Sequence, residues 1–435
     1  MSTGPDFFFA ASKQQNAGLY RFRVLKYLKG TGAAELSLRL PPIYSFTYDS
    51  AVHRGPGDAV LLTAVRDAKN TLQPLDPWRP LIPLSKAAVD EPKNTEEGYT
   101  PLDRIYNLLL ASMADPSLRR MHAFILRDVA DTELVPRLAP YINDPDERVR
   151  EHVIENMALN QQVSVIPRIV AMSETAWRES KGMYSGGPVI MLGKFTVPQA
   201  RPYLNQALFS PEQFARINTL SSLSRLADRS SIPYLLLTLF DPEPQKMNAE
   251  SAYYILHQVL PALGKPLSPE DFWKNRDAET TRLLNWWRDE LSGKHPKAPD
   301  EPPAPLIDFE RIKPEDAARI LNPLLFEKKP ELRRQAAQAL QKSGDASSIP
   351  YLLLALHDPD DEVSFLAYRT LHHLIAAMPP PTARPLFEAK REAYTKELFA
   401  WWRDELSGKH FAPDPAPAAL PVQALPRAAA PAVAK

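Results

Sequence analysis

Residues 230–242 read Ser-Ser-Ile-Pro-Tyr-Leu-Leu-Leu-Thr-Leu-Phe-Asp-Pro, and residues 347–359 read Ser-Ser-Ile-Pro-Tyr-Leu-Leu-Leu-Ala-Leu-His-Asp-Pro. Only Thr238 to Ala355 and Phe240 to His357 differ. Farther along, Trp286 to His295, Trp-Trp-Arg-Asp-Glu-Leu-Ser-Gly-Lys-His, returns unchanged at Trp401 to His410. The offsets are 117 and 115, and upstream Arg216, Leu223 and Asp228 correspond to Arg333, Leu340 and Asp345. A unit of roughly a hundred residues therefore occurs twice, and both copies share one local fold.

A finer ruler runs through the same region. Val135-Pro136, Ile166-Pro167, Val197-Pro198 and Ile232-Pro233 follow one another at spacings of 31, 31 and 35 residues. The leucine-rich run after Ile232 reads as a helix, since proline suits a first helical turn, where its missing N–H has no partner to lose. It stops at Asp241-Pro242, as others stop at Asp115-Pro116, Asp144-Pro145 and Asp358-Pro359, because a residue before proline is pushed out of α geometry. Beyond Pro145, the residues Val149, Val153 and Met157 fall at i, i+4 and i+8, one face of a second helix. The unit is helix, turn, helix.

Its succession of Asp144-Pro145, Val149-Arg150 and then Ile166-Pro167 resembles HEAT repeats, in particular the short form of bacterial HEAT-like and phycobilisome-lyase-type repeat proteins. The resemblance extends discontinuously over residues 101–410. The spacing is shorter than the ~40 to 47 residues of ordinary HEAT units, and residues 261–300 depart from the pattern. The resemblance implies an α-solenoid of antiparallel helix pairs whose extended surface binds another protein. Because the family includes proteins that handle bilins, it also implies, as an alternative, a bilin-lyase-like or other ligand-handling enzyme.

The first hundred residues keep a different period. Tyr20, Phe22 and Val24 alternate with polar neighbours, Leu36, Leu38 and Leu40 do the same, and Ala59 to Val65 is a short apolar run; these read as strands joined by turns such as Lys29-Gly30-Thr31-Gly32. The fold class expected is α+β multidomain, a small N-terminal antiparallel β domain followed by a HEAT-like α-solenoid. The boundaries expected are a β barrel or sandwich over 1–98, the first part of the solenoid over 101–292, a Pro-rich linker over 293–308 and the second copy of the duplicated unit over 309–410. The two copies are expected to be joined loosely through that linker. The Ala/Pro-rich stretch 411–435 offers too little to bury and reads as a disordered tail.

Composition narrows the chemistry. Lys+Arg 52 balance Asp+Glu 52, so no overall field recommends nucleic acid as a partner. With no cysteine, thiolate catalysis, disulfides and cysteine metal sites are excluded. No apolar run reaches the length of a membrane span, and Met1 to Gln15 has no leader pattern. The compartment is left open: a soluble chain, cytoplasmic, or extracytoplasmic if a leader has been removed. Gly182, Gly186, Gly187 and Gly193 crowd together, but Pro188 stands where a phosphate-loop lysine belongs, so a turn is expected. His257 and His372 occupy matching places without a partner ligand at i+3 or i+4 and read as hydrogen-bonded structural residues, while His295 and His410, each after Gly-Lys, read as helix caps. The run Lys328, Lys329, Arg333, Arg334 is diluted by Glu327 and Glu331 and lacks stacking aromatics, unlike a nucleic-acid site.

The duplicated Trp-Trp is the clearest signal. Leu284, Trp287 and Leu291 fall at i, i+3 and i+7, as do Phe399, Trp402 and Leu406, which makes Trp287 and Trp402 core. Trp286 and Trp401 lie about 100 degrees round the helix, aligned with Leu283 and Leu398, and are either flanking core or a partly open aromatic edge; on the second reading they are, with the adjoining Arg288 and Arg403, the candidate partner-binding residues. The function expected is a non-catalytic scaffold or adaptor for a protein partner of unknown identity, with no catalytic, cofactor or metal residues assigned. A further alternative makes the β domain an inhibitory or surface-binding module and the solenoid its spacer.

Overall fold

The computed structural model describes residues 6–14, 19–29, 35–39, 59–66, 72–74, 81–90, 100–180, 187–242, 246–295 and 307–406. Most of them are helical. They form two compact units that divide between Asn160 and Gln161.

The first unit opens with strands β1 (Asp6–Gln14), β2 (Leu19–Lys29), β3 (Glu35–Arg39), β4 (Ala59–Arg66), β5 (Leu72–Pro74) and β6 (Leu81–Pro83). They make one antiparallel sheet in the order β3-β2-β1-β4-β5, with β6 also on β4. Among the described residues there is no second sheet to complete a sandwich. The central strand β1 is the one that alternation misses. Its run Phe7-Phe8-Phe9-Ala10-Ala11 has no polar alternate, and period two is a signature of strands with one solvated face. Helices α1 (Lys86–Asp90), α2 (Pro101–Ser112), α3 (Pro116–Arg127), α4 (Leu134–Leu138) and α5 (Glu147–Leu159) follow. Polar contacts tie the end of β6 to this group. The Nε2 of His122, a fully buried residue of α3, lies 2.7 Å from the Pro83 carbonyl, and the Ser85 N–H donates to the Ser112 hydroxyl at 3.0 Å. The sheet and the first helices thus share a unit.

The second unit contains α6 (Ile166–Glu179), α7 (Arg201–Ala207), α8 (Gln213–Leu226), α9 (Ile232–Thr238), α10 (Lys246–Val259), α11 (Pro269–Lys274) and α12 (Arg276–Leu291). It continues with α13 (Pro314–Leu324), α14 (Pro330–Ser343), α15 (Ile349–Ala355), α16 (Asp361–Leu374) and α17 (Arg384–Leu406). Helices α7 to α12 are the first copy of the duplicated unit and α13 to α17 the second. The described part of 261–300, outside the repeat pattern in sequence, carries α11 and α12, and α17 reproduces both as one helix kinked at Lys390 (φ −122, ψ 18), where the first copy has Asn275 (φ −114, ψ 17). Every residue of α9 and of α15 is buried, so the Ile-Pro-Tyr-Leu-Leu-Leu run is apolar all round because neighbours cover it on all sides. Helix α12 ends in a Schellman turn: Gly293 at φ 70, with the Gly293 N–H on the Glu290 carbonyl and the Lys294 N–H on that of Asp289, a conformation that favours glycine.

Within each repeat the Asp-Pro stop has a second task. Arg119, Arg216 and Arg333 each stand 25 residues before an aspartate of that motif and bind it, on Asp144 at 2.8 Å, Asp241 at 2.8 Å and Asp358 at 2.7 Å. The same guanidinium groups donate to carbonyls six residues upstream, those of Met113, Ser210 and Glu327. One arginine thereby fastens the turn before its own helix to the turn of the next pair. Asp144 and Asp358 also accept the N–H two residues on, closing the turn that leads into the following helix. Arg216 and Arg333 are fully buried. Burial pushes the Asp358 carboxyl up despite the hydrogen bond from Arg333, so the pair is costly to desolvate and costlier to break.

The joint between the copies is not the loose one expected. Tyr234 and Tyr351, equivalent residues, meet with ring centroids 5.7 Å apart. Phe209 of the first copy lies 5.0 Å from Tyr351, and its equivalent Phe326 lies 5.8 Å from Tyr234. Reciprocal contact between equivalent residues is the mark of a two-fold relation, so the copies pair face to face about an axis near Tyr234 and Tyr351. Phe240 extends the seam to Phe399 at 4.1 Å. Both seam phenols are held neutral: burial pushes Tyr234 up to about 12 and also raises Tyr351.

Arg216→Ala and Arg333→Ala should each cost about 3–5 kcal/mol, because each leaves a buried carboxylate uncompensated. Arg119→Ala should cost less, about 1–3 kcal/mol, since the Arg119 side chain is 21% exposed. Urea denaturation of the three variants checks the order.

Candidate functional site

The repeated ten-residue helix end decides where the sequence candidates fall. Trp287 and Trp402 are each 6% exposed and sit with Leu284, Leu291, Phe399 and Leu406 in the core. Trp287 reaches across the seam, its ring 6.2 Å from that of Phe326. Trp286 and Trp401 are half-buried, and Arg288 and Arg403 are exposed. Trp286 is built into a polar cluster. Its ring stacks on His295 at 4.7 Å and 16°, and the Arg229 guanidinium stands 6.0 Å from its centroid. Arg229 also donates to Glu290 at 2.7 Å, and Lys328 of the second copy pairs with the same oxygen at 3.0 Å. Burial opposes the charge of Glu290, but hydrogen bonds from Arg229 and Lys328 outweigh it and hold the carboxyl below the usual range. In the second copy Ala346 replaces Arg229, and His410 lies outside the described residues.

The two arginines are separated by the pseudo-symmetry. Arg403, on α17 of the second copy, lines a cleft of about 470 Å³ whose other walls come from α11, α12 and the Asp241-Pro242 turn of the first. Reciprocally, the charge of Arg288 is felt by Arg391 and His357 of the second copy. Sequence reading passes over this cleft because its apolar wall, Trp273, has Glu388 as its counterpart and so leaves no trace in the repeat. The single usable signal was an unrepeated tryptophan.

The remaining candidates are engaged locally. His257 and His372 place Nδ1 at 2.9 Å from the Gly264 carbonyl and 2.6 Å from that of Pro379, and each ring packs on the tyrosine one helical turn earlier, Tyr253 or Tyr368. His295 Nε2 is 3.2 Å from the Trp286 carbonyl. Gly182 and Gly186 lie outside the described residues. Gly193 serves packing, since a Cβ there would meet the Asn218 carbonyl at 3.3 Å. Among the described residues no three potential metal ligands cluster, and no helix is long and apolar enough to cross a membrane.

Residues 306–372, the first two thirds of the second copy, match the family of HEAT repeats. That stretch of the second copy is thus similar to HEAT repeats. No curated protein matches it.

His357 stands where the first copy has Phe240, 5.5 Å from Phe399, with its Nε2 buried and unpartnered. Burial, reinforced by Arg391 and Arg288, pushes its pKa down to about 4. A depressed histidine resists protonation in the fold, so stability is full above the unfolded value near 6.5 and is lost as pH falls from there toward 4. His357→Phe, the residue the first copy already uses, should remove that loss and gain up to about 3 kcal/mol over wild type between pH 7 and pH 4. Urea melts across that range test it; parallel curves for the two proteins would contradict the assignment.

Proposed function

We propose that this chain is a non-catalytic HEAT-repeat adaptor that binds a protein partner through its helical repeats. The observation behind this reading is the paired use of tryptophan on α12 and α17: one ring of each pair is spent on the core, and the other stays half-buried at both equivalent positions. A half-buried tryptophan is a common anchor of protein interfaces, with an apolar body and one polar edge. HEAT repeats are in general protein-interaction modules, which favours the same reading. On this view Trp286 and Trp401 anchor the partner, Arg288 and Arg403 supply charge beside them, and residues 1–98 form a β module attached to the repeats.

The full chain used as bait, with mass spectrometry of what it retains, provides the partner, and four alanine variants then test the surface. Trp287→Ala and Trp402→Ala should each cost about 3–5 kcal/mol of stability. Trp286→Ala or Trp401→Ala should cost much less and weaken capture of that partner about tenfold. Unchanged capture by both edge variants would overturn the reading.

A further inference from the structure

The cleft under Arg403 holds an imbalance of charge. Three cations, Lys274, Arg276 and Arg403, and two acids, Asp241 and Asp277, line it. Asp241 is 2% exposed and is spent on Arg216 and on the Asn248 amide, both at 2.8 Å. Arg276 donates to the carbonyls of Leu239 and Asp241 and lies 4.8 Å over the Trp273 ring, which holds its guanidinium in the wall of the cleft. Lys274 pairs with Glu270 at 2.7 Å where both are well exposed, a pairing of little strength. Arg403 comes from the other copy and makes no hydrogen bond or ion pair with any described residue. Among the described residues of the cleft, its fork of donors is the cationic group without an acceptor.

We propose that this cleft receives an acidic segment of a protein partner, with a Glu or Asp side chain taken bidentately by Arg403 and the chain lying against Trp273. The proposal rests on the protein-binding function above and names the chemistry of the partner. A bidentate arginine–carboxylate contact is strong and directional. The cleft volume of about 470 Å³ lies in the range that encloses a small ligand or a short stretch of chain. Asp277 on the wall offers an acceptor for a peptide N–H, whereas it would repel the repeated phosphates of a nucleic acid. The counterpart in the second copy is an internal control. There Glu388, Ala389 and Glu392 replace Trp273, Lys274 and Asp277, and Arg391 is already met by Asp361 at 3.1 Å. Only the first copy's end therefore suits an acidic chain.

Titration of the full chain with hexaglutamate, and with hexaglutamine as the uncharged control, tests this by calorimetry. Saturable binding of hexaglutamate alone is expected, weakened by salt, reduced about tenfold or more by Arg403→Ala and unchanged by Arg319→Ala, an exposed arginine outside the cleft. Absence of binding to hexaglutamate, or equal binding by wild type and Arg403→Ala with matching thermal melts, overturns the proposal. The two readings fail separately. Partner capture that depends on Trp286 or Trp401 while hexaglutamate does not bind sinks the acidic cleft and leaves the adaptor standing. Binding of hexaglutamate lost with Arg403 while capture ignores both tryptophans supports the cleft and sinks the tryptophan surface.

Discussion

The contact between Tyr234 and Tyr351, 5.7 Å apart at the pseudo-axis, is the constraint from which the second unit takes its shape. In a simple array each repeat contacts the one before and the one after it, and equivalent residues a hundred positions apart never meet. Here the helices that are apolar all round, α9 and α15, face each other, and the two copies share one aromatic core. The consequences reach beyond the seam itself. The seam brings Phe399 over Phe240, sets His357 in an enclosed and cationic place, and carries Arg403 onto the turn of the opposite copy. None of these features belongs to a copy alone.

A second constraint acts within each copy. The buried pairs Arg216–Asp241 and Arg333–Asp358 contribute less through attraction than through the penalty of any arrangement that leaves one partner alone. They set the register between successive helix pairs, and register determines which residues of α9 and α15 are presented to the seam. Stacking and pairing are thus coupled: the ion pairs align each copy, and the aligned copies then fit each other's aromatic rings.

The duplication, the helix-turn-helix unit, the core face of Trp287 and Trp402 and the carbonyl contacts of His257 and His372 were legible because each is a local or periodic property, written twice. The joint between the copies was not, since identity between two stretches says that they fold alike and is silent on how they pack. A proline-rich connector suggested looseness, and the contact that overrides it comes from Tyr234 and Tyr351, which sequence reading treats as ordinary helix positions. Strand β1 escaped because a central strand need not alternate. The cleft escaped because Trp273 is unrepeated and Arg403 reaches it from a distant helix, a tertiary fact with no local signal. Arg216 and Arg333 stand out in the sequence as correspondences, but their buried role depends on aspartates 25 residues away.

The face-to-face pairing of the copies is tested most directly by two reciprocal double-mutant cycles, Phe209→Leu with Tyr351→Leu and Phe326→Leu with Tyr234→Leu, read by urea denaturation. Pairing about the pseudo-axis predicts coupling of about 0.5–1.5 kcal/mol in each cycle and of similar size in both. Effects that add within about 0.3–0.5 kcal/mol in both cycles would mean that the copies do not touch through these rings, and would contradict the account.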